Sequence, residues 1–311
     1  MPKLTRLRTI LCKLESSYAT DPTPTGSANA IEVRNLEITP LEADVVERET
    51  IRGYLGNYPQ LLAQQRVSLT FEVELAASGA AGTAPAWGPA MKACAMSQTI
   101  VSSTSVTYAP VSSSFDSCTF YVGIDGIRHK ITGARGSFSL NASVGEIPVI
   151  SFTFTGIYND PTDTALPTCT YSNQADPVIF KNGNTTALQI FSYAASLQSF
   201  SYDQNNETIF NEFVGGTKQV LVTDRKPAGE AVIEAPALSA KNFFTTATGS
   251  ATGNLTFQHG QTAGNKVTFT AGQIDIASPA YTEENGIQML SLPYVATPTS
   301  AGNNEVSLAL T

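Results

Sequence analysis

The chain has 311 residues, a formal charge of -8 and charged side chains at only 14% of positions. That length fits two domains of roughly 150 residues, each able to bury a core, and the low charge with abundant Ser, Thr, Ala and Gly favours β-rich packing over long solvated helices. A negative chain without clustered Lys and Arg disfavours tight nucleic-acid binding.

The start, MPKLTRLRTILCKLESS, is basic, but Arg8, Thr9 and Lys13 interrupt its apolar residues, so no export signal is expected. No apolar run approaches the ~20 residues of a membrane helix, and the product is expected to be soluble. Residues 1–30 form an N-terminal arm. A first domain, 31–157, opens with strands at 31–39 and 66–75; in the second, Val67, Leu69, Phe71, Val73 and Leu75 alternate with Ser68, Thr70, Glu72 and Glu74, giving one core face and one wet face. Between them lies a long excursion, 40–65, with a strand around Val45 to Ile51 and then a Gly, Asn and Pro cluster. A short helix near Ala86 to Ala95 carries Trp87, Met91 and Cys94 or Ala95 on one stripe, read as a plug on the sandwich rather than a ligand box. Then follow CTFYVGIDGIRHKITGARGSFSL, with a hairpin turn at Asp125-Gly126, and the alternating strand IPVISFTFTG. A Pro, Asp, Asn and Thr stretch, 158–187, reads as a linker.

In a second domain, 188–311, the order recurs. ASLQSFSYD stands for the first strand, 203–228 for the excursion, GEAVIEAP for the alternating strand, and LSAKNFFTTA for the helix, with Leu238, Lys241, Phe244 and Thr245 at helical spacing. NKVTFTAGQIDI overlays HKITGARGSFSL without a gap, Gly272 over Gly136 and Ile276 over Leu140, with TAGN at the hairpin turn. GIQMLSLPY overlays EIPVISFTF, Met289 over Val149, Ser291 over Ser151 and Tyr294 over Phe154. Alternation is common in β segments, but the shared order of six elements points to two copies of one fold.

Catalytic machinery is not visible. The two histidines, His129 and His259, sit in hairpins with no partner pattern and are expected to be surface turn residues. There is no GxSxG, HExxH or Walker loop, and the four cysteines lack metal or disulfide spacing and read as reduced thiols. No cofactor and no metal are expected, and the chain is not expected to be an enzyme. One feature recurs: Glu72 and Glu234, read as counterparts, lie on equivalent wet faces, with Glu74 and Glu230 beside them. A wet strand face is often charged for no further reason.

The order of parts, the excursion LEITPLEADVVERETIRGYLGN, and the phrases SVTYAPVSSSF, GIRHKITGARGSFSL, PVISFTFTGIYNDPTD and VLVTDRKPAGEAVIEAP resemble the major tail tube proteins of long flexible-tailed bacteriophages and related prophages. The resemblance implies a mainly β chain with two tandem β-sandwich domains, each with one short helix and a long extended loop or hairpin. It also implies six such domains per ring, and stacked rings whose inner sheets join into a barrel around a DNA channel. With two domains per chain, three chains should close a pseudo-sixfold ring in the virion tail, after assembly in the host cytoplasm. The implied partners are further copies of the chain, a tape measure protein inside the tube, tail terminator and tail-tip proteins, and viral DNA passing without tight binding.

Physical reasoning extends these expectations. Open sandwiches leave pairing edges that a closed barrel satisfies. The excursions are expected to reach neighbouring subunits or rings through Leu41, Val45, Val46, Arg48, Ile51, Tyr54 and Leu55 in the first, and Phe210, Phe213, Arg225 and Lys226 in the second. The N-terminal arm has little to pack on in its own domain and is expected to dock between rings. Glu72, Glu74, Glu230 and Glu234 are expected to line the lumen and repel DNA phosphates at short range. The alternative reading is a monomeric β-sandwich, either a virion decoration protein or an adhesin-like binding module.

Overall fold

A computed structural model describes residues 3–48 and 50–311. Met1 and Pro2 of the expected arm and Glu49 of the first excursion lie outside the described residues. The chain is mainly β, with short helices only.

β1 (Arg8–Leu14) and the single-turn α1 (Gly26–Asn29) come first. β1 corrects the expectation of an arm with little to pack on: it pairs antiparallel with Cys118–Ile124 and buries Ile10, Leu11 and Cys12. β2 (Arg34–Val46) and β3 (Leu61–Glu74) are the arms of one long hairpin, so much of the first excursion is strand. The wet and dry alternation of β3 holds, with Val67, Leu69, Phe71 and Val73 all at most 2% exposed. α2 (Gly88–Ala93) buries Trp87, Met91, Cys94 and Ala95, and Trp87 Nε1 donates to the Ala76 carbonyl at 3.1 Å, which satisfies its one donor in the core.

β4 (Met96–Val101) and β5 (Ser105–Pro110) form a hairpin, as do β6 (Cys118–Ile124) and β7 (Ile127–Ser143). The β6–β7 turn has φ of 38° at Asp125 and 87° at Gly126, the doubly positive geometry for which Asp-Gly is favoured. β8 (Val149–Tyr158) follows, and Phe71, Phe120, Phe152 and Phe154 meet at ring separations of 4.8–6.0 Å in the core of this half. After the two-residue β9 (Thr162–Asp163), the expected linker is partly packed. Phe180 is buried against Phe257 at 6.0 Å, while its backbone exchanges hydrogen bonds with Gly145 and Glu146.

In the second half, β10 (Thr185–Ile190) and β11 (Leu197–Asp203) precede β12 (Asn206–Asn211) and β13 (Gln219–Arg225), a hairpin that forms its own two-stranded sheet. β14 (Ala228–Glu234) leads to α3 (Phe243–Thr248). The helical stripe expected at Leu238, Lys241, Phe244 and Thr245 is corrected here. Asn242 caps the helix by accepting from the Thr245 amide at 3.0 Å, so it starts later, buries Phe243 and leaves Leu238 exposed. β15 (Thr252–His259), β16 (Val267–Ile276), β17 (Ala280–Glu284), β18 (Ile287–Ala296) and β19 (Ser307–Leu310) complete the chain.

His259 is not a surface turn residue. It is a buried strand residue of β15, with Nδ1 3.0 Å from Thr185 Oγ1 and Nε2 3.1 Å from the Val178 carbonyl, and burial holds its pKa below the usual histidine value. His129 lies in β7 and is half-buried.

The strand pairings give a continuous antiparallel sheet in the order β2-β3-β8-β7-β11-β14-β18-β17, which crosses from one half of the chain to the other where β7 meets β11. Behind it, β1-β6 pair with the beginning of β7, and β10-β15-β16-β19-β5-β4 form the other backing layer. β7 serves both layers because a bulge between Thr132 and Arg135 bends it.

Candidate functional site

The outer face of the continuous sheet is rich in hydroxyls and carboxylates, with Val149, Val232, Met289 and Pro293 among them. Ser151 lies opposite both Glu72 and Ser139, Asn141 lies opposite Ser201, and Ser201 lies opposite Glu230. The four carboxylates singled out in the sequence are all on this face, but their surroundings differ. Glu72 accepts from Asn35 Nδ2 at 2.8 Å and lies 3.5 Å from Arg34 Nε; Glu74 lies 3.9 Å from Arg34 Nη1. Glu230 accepts from the Ser291 hydroxyl, and Glu234 is exposed. Such exposed ion pairs contribute about 0–1 kcal/mol each, so the face keeps its acidic character towards solvent.

On the expected duplication, register gives a different match of carboxylates from the sequence overlay. Ser151 is opposite Glu72, whereas Ser291 is opposite Val232. With Ser291 laid over Ser151, Glu234 falls on Glu74 rather than on Glu72. The slip is two residues, so the face is unchanged. The overlay of β7 on β16 slips as well. Gly136 is opposite Phe154 and Ile276 is opposite Tyr294, so Ile276 takes the place of Gly136, four residues from the ungapped match. The glycines behave accordingly. A Cβ on Gly136 would stand 2.0 Å from the Thr153 carbonyl, while one on Gly272 would meet nothing nearer than 3.9 Å.

The expected contact residues separate into two groups. Leu41, Val45, Val46, Arg48, Ile51, Tyr54 and Leu55 are exposed at or near the tip of the β2–β3 hairpin, with Ile51 and Leu55 fully so. The Arg52 guanidinium lies 3.7 Å from the Tyr58 ring centroid and 5.5 Å from that of Tyr54. Phe213 and Lys226 are exposed on the β12–β13 hairpin and Phe210 is half-buried. Arg225 is different, because its guanidinium is committed within the chain. It lies 2.8 Å from Glu305 Oε1, donates to the Val111 carbonyl at 2.7 Å, and is largely buried. Its expected outward contact is corrected on that ground.

A second junction between the halves escaped the sequence reading. The loop end of the β12–β13 hairpin docks on the first half, where the Val220 amide donates to Tyr18 Oη at 2.6 Å and Arg135 Nη1 donates to the Val220 carbonyl at 2.8 Å. Tyr18 Oη in turn donates to the Gly133 carbonyl at 3.0 Å, and the Arg135 guanidinium lies 4.8 Å from the Tyr18 ring centroid. Burial raises the pKa of Tyr18 and lowers that of Arg135. Glu15 braces the same corner, accepting from Ser117, Thr119 and the Gly133 amide at 2.6–2.8 Å. These residues are far apart in sequence and carry no local pattern that would have marked them.

Among the described residues, no group of three or more His, Cys, Asp and Glu is arranged to hold a metal, and no helix is long and apolar enough to cross a membrane. What this arrangement offers is surface: a broad acidic and hydroxyl-rich sheet face, free strand edges, and apolar hairpin tips. In comparisons with known proteins, a family described as phage tail tube protein matches residues 5–296. No curated protein matches the chain.

Proposed function

The chain belongs to the phage tail tube protein family, and on that premise we propose that it is a two-domain tube subunit, with sandwich units at 31–157 and 188–311. Three chains close a pseudo-sixfold ring, rings stack into the tail tube, and viral DNA passes through the channel on its way into the host. Assembly takes place in the host cytoplasm around a tape measure protein, between tail-tip and terminator proteins. The lumen is the polar sheet face bearing Glu72, Glu74, Glu230 and Glu234.

One observation carries this reading. The sheet order β2-β3-β8-β7 of the first half is followed, across a hydrogen-bonded seam, by β11-β14-β18 of the second, with the end of β16 and then β17 lying on β18 as β7 lies on β8. A sheet that already joins like to like within one chain supplies the geometry for joining chain to chain. The apolar tip at Ile51 and Leu55 supports a further contact outside the chain, since exposed apolar clusters of this kind mark interaction surfaces.

Negative-stain microscopy and mass measurement of the concentrated protein test the reading. Hollow polymers, or rings with the mass of three chains, are expected. Dispersed single particles at all concentrations would overturn it, and rings of six chains would overturn the stoichiometry.

A further inference from the structure

Two edges of the continuous sheet are left open. Among the described residues, β17 pairs only with β18 and β2 only with β3. One carbonyl of the β2 edge, that of Leu36, accepts from Arg8 Nη1 at 2.8 Å. We propose that the free edge of β17 pairs antiparallel with the free edge of β2 in a second copy of this chain, with Glu284 opposite Arg34, Thr282 opposite Glu37 and Ala280 opposite Thr39. The inference rests on the ring assembly proposed above and deepens it by giving the seam its strands and register.

The register follows from the seam inside the chain, where Ser143, Asn141 and Ser139 of β7 face Ser199, Ser201 and Asp203 of β11. Each side can be transferred through the strand next to it. Ser139 and Asn141 are opposite Ser151 and Val149, while Ala280 and Thr282 are opposite Ser291 and Met289. Since Ser291 overlays Ser151 and Met289 overlays Val149, Ala280 stands where Ser139 does, Thr282 where Asn141 does, and Glu284 where Ser143 does. On the other side, Ser199, Ser201 and Asp203 are opposite Val232, Glu230 and Ala228, which are opposite Ser291, Pro293 and Val295. Arg34, Glu37 and Thr39 are opposite Glu72, Thr70 and Ser68, which are opposite Ser151, Thr153 and Thr155. Arg34 therefore stands where Ser199 does, Glu37 where Ser201 does, and Thr39 where Asp203 does.

Chemistry that took no part in this transfer agrees with it. The register sets a cation, Arg34, across from an anion, Glu284, where opposite charges on facing strands attract. On the core side of the same seam, Tyr202 faces Leu140 within the chain. The transferred pair is Ile38 and Tyr281, and Tyr281, 55% exposed in the single chain, gains an apolar neighbour. Both edges would otherwise display unpaired backbone donors and acceptors.

The test uses the full chain with Thr282→Cys and Glu37→Cys, both at exposed positions, assembled and then treated with a short bifunctional thiol reagent. Covalent dimers and trimers are expected in assembled protein, with none from the unmodified chain and little from the out-of-register pair Thr282→Cys with Arg34→Cys. In a parallel experiment, Glu284→Arg should raise the assembly concentration about tenfold, and adding Arg34→Glu should restore it. Rings or tubes that form but link only through the control pair, or not at all, would overturn the register while leaving the ring intact. Absence of any assembly in the unmodified chain would overturn the ring and the seam together.

Discussion

Arg225 illustrates how one residue can be recognised as important in sequence and yet be given the wrong partner. It lies in TDRKPAGE, a charged stretch, and reads as an outward contact; in the fold it closes on Glu305, itself only 5% exposed. The partner is eighty residues away, beyond the reach of local pattern. Removing one member of a buried pair leaves the other charge without compensation, which costs about 3–5 kcal/mol, whereas replacing both with apolar groups is often neutral. Arg225→Met is therefore expected to lower the stability of the free subunit by about 3 kcal/mol, and Arg225→Met with Glu305→Leu to recover most of it, as measured by denaturant unfolding. An unchanged midpoint for the single variant would return Arg225 to the surface. His259 was misread for a related reason: its partners Thr185 and Val178 come from the stretch taken as linker and from its border.

At the scale of elements, strands were legible where burial alternates, as in β3 and β8, because a two-residue period is visible in any single stretch. Register was not legible. A slip of two or four residues keeps every apolar side chain on the core face, so sequence overlay could not distinguish Glu72 from Glu74 as the match for Glu234, nor Gly136 from Leu140 as the match for Ile276. β1 was missed because its short apolar core, Ile10 to Cys12, is flanked by basic residues and shows its fit only when β6 is beside it. The two hairpins also diverge. β12–β13 is anchored on its own chain by Tyr18 and Arg135, whereas the tip of β2–β3 displays Ile51 and Leu55 to solvent. Ile51→Ser with Leu55→Ser should leave thermal unfolding of the subunit within about 0.5 kcal/mol of the parent, since surface changes rarely do more. Burying both side chains at a neighbour would contribute on the order of 3 kcal/mol, so the concentration needed for polymerisation should rise by roughly a hundredfold in sedimentation assays. Equal polymerisation of the variant would remove the tip from the assembly contacts.

Strands from both halves of the chain make one sheet, and in the proposed tube the charge on that sheet would bear on what passes along it. The face mixes hydroxyls with carboxylates, and Arg34 sits beside Glu72 and Glu74, while among the described residues Glu230 and Glu234 have no such cation. If this face lines the channel, as proposed above, repulsion between it and DNA phosphates acts over about a Debye length, ~8 Å at physiological salt, and would keep the duplex from settling on the wall without opposing its movement. Lysine at Glu72 and Glu234 would turn repulsion into contacts whose strength falls steeply with salt. In the reading proposed here, Glu72→Lys with Glu234→Lys yields tubes of normal appearance, since neither side chain lies on a free edge. Phage carrying the change should eject DNA more slowly at low salt and recover towards the parental rate as salt is raised. Loss of polymerisation would instead place these carboxylates at contacts between chains, and ejection unchanged at every salt concentration would take them out of the lumen.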